Sequence, residues 1–259
     1  MAGEAKTNQF MLGTATVMVG PQADLFSLNP DEHSIGLVKN FTLTSEPGFT
    51  DLTQGVKNTV VYSVMTANKV RANMEAYEYT AKNLAYAAAL DGSTITPADT
   101  ATTLQTAVAA NPVGTDTLEL AAVTGLVVND WLHVQEGSDD RVTMGRISAI
   151  DATAKSVTLA QSFKHAIPAG AKVTKVNAIG VGSKKDQPYL AAKVVGKLAD
   201  GSVVSLLIPK LRVTNGFAVA FKTDSFGNLP LQFDVQDLTA SEPFYAEFAD
   251  KGSAILLTE

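Results

Sequence analysis

Along the last third of the chain, apolar and polar residues trade places at every step. Leu229, Leu231, Phe233 and Val235 alternate with Pro230, Gln232, Asp234 and Gln236. A period of two puts one set on a packed face and the other in water, as in an antiparallel strand with one wet side. Just upstream, Phe217, Val219 and Phe221 share one face of a shorter run, and Asp224, Gly227 and Asn228 supply the turn between the two. Asp200 and Gly201 divide residues 191–199 from 202–210 and predict a tight hairpin, because that dipeptide tolerates the positive φ such turns need. The N-terminal part has the same habit. The apolar run from Phe10 to Val19 is broken by Thr14 and Thr16 at strand spacing and reads as a first strand. Residues 35–44 and 57–65 also read as extended, the latter with Val60, Tyr62 and Val64 alternating with Val61, Ser63 and Met65.

Three stretches depart from this pattern. Pro47, Gly48 and Gly55 interrupt the first, so residues 45–55 read as a loop. At about ten residues it is long enough to have a task of its own. Phe49 and Leu52 are costly to leave in water there, so they either tuck back onto their own domain or meet a partner. In the second, Val70, Met74, Tyr77, Ala81, Leu84 and Ala88 advance by alternating fours and threes. That spacing predicts one amphipathic helix over about residues 69–90, capped by Thr66 or Asn68 and stopped by Asp91 and Gly92. The third, residues 91–117, is rich in Thr, Ala, Asp and Pro and reads as a soft linker, with a short helix possible from Thr96 to Asp99. Strand patterns resume over residues 118–177, where short extended runs separated by turns predict a small barrel or sandwich. Trp131, the only tryptophan, is expected to plug its core. Residues 118–177 thus read as an inserted domain within a host made of residues 1–117 and 178–259.

Composition narrows the function classes. In 259 residues, 46% are hydrophobic and 18% charged, which supplies a core and argues against long disordered tails. The net charge of −6 argues against gripping nucleic acid, which needs Lys and Arg to displace counterions from phosphates. With no cysteine, disulfides, thiolate metal sites and cysteine nucleophiles are ruled out. Glu4 beside Lys6 is unlike a basic export leader, and no apolar run approaches the ~20 residues of a membrane-spanning helix.

No catalytic set emerges. His33, His133 and His165 lie far apart, without neighbouring carboxylates at ligand spacing. Residues 180–185 hold the glycines of a phosphate loop but lack its ending and a following helix, and read as the exit from the inserted domain. Glu136, Asp139 and Asp140 read as a solvated turn rather than a calcium loop. The expectation is a non-enzyme without metal or cofactor.

The order of these parts resembles the major tail tube proteins of tailed bacteriophages. Three segments carry the resemblance: the extended runs and connection of residues 37–65, the stretch from Tyr77 to Leu84, and the stretch from Ile208 through Phe217 to Phe233. It implies a mainly β fold, a two-sheet β-sandwich with one flanking α-helix, to which the inserted β-barrel or sandwich is added. It further implies self-assembly into rings of six that stack into a tube, the conduit for DNA ejection. Expected partners are other copies of the chain, a tape measure protein, and tail terminator and baseplate proteins. DNA would pass through the lumen without specific binding, and no membrane would be involved. The site implied is an inter-ring contact loop comprising Glu46, Pro47, Phe49, Asp51 and Leu52. The place of action would be the virion tail, assembled in the bacterial host cytoplasm. Six copies would carry roughly −36, a charge that repels phosphates. Two other readings stay open: a related injection-machine, capsid or baseplate component, and a β-sandwich module whose residues 118–177 hold a ligand or glycan.

Overall fold

A computed structural model describes residues 15–90, 92, 95, 104–135, 141–182, 186–215, 218 and 227–258. The chain divides into two compact units, Met1–Thr94 with Gly180–Glu259, and Ile95–Ile179. The fold is mainly β, built on two antiparallel sheets, one in each unit.

In the first unit, β1 (Ala15–Pro21), β2 (Val38–Gln54), β3 (Thr59–Ala76), β10 (Leu190–Lys197), β11 (Val203–Val213) and β12 (Leu229–Val235) pair in the order β1-β10-β11-β12-β3-β2. β13 (Ile255–Thr258) adds to β11 beside β12. The expected alternation of β12 holds, with Leu229, Leu231, Phe233 and Val235 all buried. Their counterparts, Ala72, Met74 and Ala76 on β3, Leu190, Ala192 and Val194 on β10, and Val17 and Val19 on β1, complete one core. A bulge in β11 shifts the register between Ile208 and Leu211, so that both residues face this core despite their odd spacing. The reverse face of β1, β10 and β11 is covered as well. Met18, Ala191 and Leu207 pack there with Leu25 and Leu28 from the segment around the 3-10 turn Gln22–Ser27, and with Phe248 of the one-turn helix Tyr245–Phe248. The β10–β11 hairpin turns at Asp200 and Gly201 as their sequence predicts. Gly201 has φ +91°, and the Asp200 carboxylate accepts from the Ser202 N–H at 3.0 Å.

The expected helix over residues 69–90 is wrong for most of its length. Residues up to Ala76 continue β3, pairing with β12 from Val70↔Val235 to Ala76↔Leu229, and the helix is only Ala81–Ala87. Its cap is neither Thr66 nor Asn68 but Thr80, whose hydroxyl accepts from the Asn83 N–H at 3.1 Å. The helix is pinned rather than laid on the sheet. Tyr86 Oη donates to the Val19 carbonyl at 2.9 Å, and the buried Asn83 amide donates to the Ile35 and Glu78 carbonyls, both at 2.8 Å.

The second unit starts at Ile95, earlier than the 118 expected. Its strands β4 (Leu104–Thr106), β5 (Thr117–Glu119), β6 (Trp131–Gln135), β7 (Val142–Asp151), β8 (Ser156–Leu159) and β9 (Lys172–Val176) pair in the order β4-β9-β6-β7-β8-β5. The two ends of that order meet. The Val108 N–H donates to the Glu119 carbonyl and the Ala121 N–H to that of Thr106, each at 3.0 Å, which closes the sheet into a small barrel with no long open edge. Leu118, Leu132, Val134, Ile147, Val157 and Val173 fill it. Trp131 is not in that core. It is exposed, because Leu132 and Val134 take the inward positions of β6 and the pleat turns Trp131 outward.

Phe217 to Phe221 with Asp224, Thr96 to Asp99, Phe10 to Thr14, Glu136, Asp139, Asp140 and the end of the 180–185 stretch lie, wholly or in their larger part, outside the described residues.

Candidate functional site

The residues expected to form a contact loop lie in a strand instead. Glu46, Pro47, Phe49, Asp51 and Leu52 belong to β2, which pairs with β3 as far as Gln54↔Thr59 and turns over residues 55–58. Gly55 and Asn58 take positive φ there, +81° and +47°. Pro47 does not break the strand because β2 is the last strand of its sheet. Among the described residues one of its sides carries no ladder bonds, and a missing N–H is tolerated on such an edge. Three irregularities of register absorb the remaining misfits, between Lys39 and Thr42, Gly48 and Phe49, and Leu52 and Thr53. Asn40, at φ +55°, sits in the first of them.

Only the base of this hairpin is packed. Beyond the Ser45↔Val70 pair, every residue of both strands is exposed except Gly48, which is half-buried. At about 3.3 Å per residue the free two-stranded ribbon is roughly 30 Å long. Residues directly opposite share a face, so the register sorts its side chains. One face carries Phe49 beside Met65, Asp51 beside Ser63, and Val60; the other carries Leu52 beside Tyr62 and Thr50 beside Val64. The apolar residues on both faces are well exposed, from 46% for Val64 to 64% for Tyr62. The polar ones interact along the ribbon: Ser63 Oγ donates to the Asp51 carboxylate at 2.6 Å, and Ser45 Oγ to Asn68 Oδ1 at 2.8 Å.

The root of the ribbon is tied by charge. On the side of the sheet facing away from the core, Arg71 reaches Glu46 at 3.5 Å and Asp234 at 3.6 Å, and Arg212 reaches Asp234 at 3.2 Å. This ladder of alternating sign crosses β2, β3, β12 and β11. Each pair is partly exposed and adds under about 1 kcal/mol, but together they penalise a register slip.

The sequence pointed to Phe49 and Leu52 and missed their partners. Tyr62, Val60, Val64 and Met65 complete the apolar faces, and their β-branched alternation was legible; their pairing with residues 49–53 was hidden while those residues read as a loop. The histidines stay apart. His33 ends the one-turn helix Pro30–His33, His133 lies on β6, and His165 bonds to Thr143 Oγ1 at 2.8 Å. Among the described residues, no group of three or more His, Asp or Glu is placed to hold a metal ion. No helix is long and apolar enough to cross a membrane among them. No protein-family model matches this chain, and no curated protein matches it.

Proposed function

We propose that this protein is a self-assembling structural subunit, the ring-forming component of a phage-type tail tube through which DNA passes. The observation that carries this reading is the ribbon of β2 and β3. A two-stranded ribbon of this length is marginal in water by itself, and one with exposed Phe, Leu, Tyr, Val and Met on both faces is an aggregation hazard unless something covers it. Copies of the same chain are the economical cover, since a ring closed by rotation satisfies every subunit's edge at once. In this reading the five residues Glu46, Pro47, Phe49, Asp51 and Leu52 contact the adjacent ring from a strand rather than from a loop, joined by Val60, Tyr62, Val64 and Met65. The charge ladder supports the conduit part. Arg71 and Arg212 are engaged by Glu46 and Asp234, so these two cations are not free to hold passing phosphates.

The test is negative-stain electron microscopy of the purified protein over a concentration series, paired with amide hydrogen exchange on the dilute sample. Rings or hollow tubes at high concentration, with residues 44–69 unprotected in the dilute protein, are the expected result. A chain that stays monomeric throughout and protects those amides as a monomer would overturn the reading.

A further inference from the structure

Trp131 has no role in the assembly just proposed, and it is in an expensive place. It is 43% exposed at the start of β6, on the outside of a barrel whose interior is already filled by Leu132 and Val134 from the same strand. β6 lies between β7 and β9, and the register sets out what surrounds the indole. Trp131 stands opposite Arg146 on one side and Val176 on the other. His133 in the next row stands between Met144 and Thr174, and Gln135 between Val142 and Lys172. Arg146, Met144 and Lys172 are exposed. Among the described residues these three rows contain no carboxylate, in a chain whose net charge is −6. The carboxylate next in sequence, Asp130, is already engaged by the Lys175 ammonium at 2.9 Å and the Val127 N–H at 2.8 Å.

We propose that this face of the barrel binds a linear acidic polysaccharide, with a sugar ring stacked on Trp131 and its acid groups met by Arg146 and Lys172. The face is the outer surface of a barrel, which suits an extended polymer lying across strands better than a small molecule that needs a concave pocket. The Arg146 and Lys172 rows lie four residues apart along β9, roughly 13 Å, too far to serve one acidic group and suited to successive groups on a chain. Apolar positions are interleaved with His133, Thr174 and Gln135, which donate and accept hydrogen bonds as a hydroxyl-rich ligand requires. A nucleic acid is a poorer fit, because two cations release few counterions. This inference is independent of the tube reading.

Trp131 is the only tryptophan, so its fluorescence reports on this face alone. The full-length protein is titrated with oligogalacturonate, neutral dextran oligomers and poly-glutamate, at low and high salt. The expected result is a saturable change with oligogalacturonate, weakened by salt, that neither other ligand reproduces. Arg146→Ala is expected to weaken it roughly tenfold, the loss of one hydrogen-bonded charge contact. Met144→Glu, which sets a carboxylate beside the ring at an exposed position, is expected to abolish it with the circular dichroism unchanged. No saturable response to oligogalacturonate, an equal response to dextran or to poly-glutamate, or full affinity in Arg146→Ala would overturn the proposal.

Discussion

Lys210 lies at the bulge of β11, buried, with its ammonium 2.7 Å from one oxygen of the Glu242 carboxylate and 4.4 Å from the centre of the Tyr189 ring. The carboxylate also accepts from the Thr239 N–H at 2.7 Å and the Thr239 hydroxyl at 2.9 Å, so one side chain fastens the segment after β12 to the sheet. Burial alone would raise the Glu242 carboxyl. The Lys210 ammonium and the two Thr239 donors outweigh it and lower the group from the ordinary 4.5 to about 2. A carboxyl depressed in the folded state stabilises the protein above its unfolded value and loses that contribution as the pH falls through the folded one. The window is therefore about pH 4.5 down to about pH 2, and the contribution at neutral pH is at most about 3 kcal/mol. Glu242→Gln is expected to lower the urea midpoint at pH 7 and to flatten its decline across that window; identical pH profiles for the two proteins would show that the pair contributes nothing. Nothing in the sequence announces this pair, because its members lie 32 residues apart and meet only through the fold. Trp131 was misplaced for another reason. Its rarity suggested a core role, whereas the alternation of Leu132 and Val134 already assigned it to the opposite face.

At the scale of elements, periodicity was legible wherever one face of a strand is buried and the other wet, as along β12. It failed where two periods fit the same letters. Val70 and Met74 match a helical stripe, but Val70, Ala72, Met74 and Ala76 also match a strand, and alanines are too small to mark a buried face by hydropathy. Pairing with Leu229–Val235 decides for the strand, since it buries Ala72, Met74 and Ala76, packs the half-buried Val70 against them and satisfies the backbone as well. The β2 half of the ribbon escaped notice for another reason: with both faces exposed, residues 45–55 carry no apolar period, and Pro47, Gly48 and Gly55 read as breakers. That property also sets the expected behaviour of variants. Covering a Leu or Phe fully is worth about 1.5–3 kcal/mol, so several ribbon side chains must be covered together to offset the cost of association. Phe49→Ala and Leu52→Ala are therefore each expected to weaken stacking of rings, raising the concentration at which tubes form. Thermal stability of the isolated chain should barely change, within about 0.5 kcal/mol for an exposed position. Tube yield and calorimetry on the same preparations check both halves, and an unchanged tube yield would remove these residues from the interface.

The whole molecule separates into parts with independent means of support. The seven-stranded sheet and its two apolar clusters draw only on residues outside 95–179, and the barrel's cluster draws only on residues within it. Among the described residues, the closed hydrogen bonding of the barrel leaves it no long edge to lend to a neighbour, whereas β2 pairs along one side alone. On the proposed function, assembly by edge pairing and ribbon docking would belong to the first unit, and the barrel would be free to carry a separate task. The sequence set the start of its inserted domain at 118, whereas the second unit begins at Ile95; β4 is only three residues long and follows a composition that reads as linker. Replacing residues 95–179 by a short Gly/Ser bridge is accordingly expected to leave a protein that unfolds in one cooperative transition and still forms rings or tubes, narrower on the outside and with the same lumen. Calorimetry establishes the folding and electron microscopy the dimensions. A bridged protein that folds but no longer assembles would mean that the barrel takes part in the contacts between subunits.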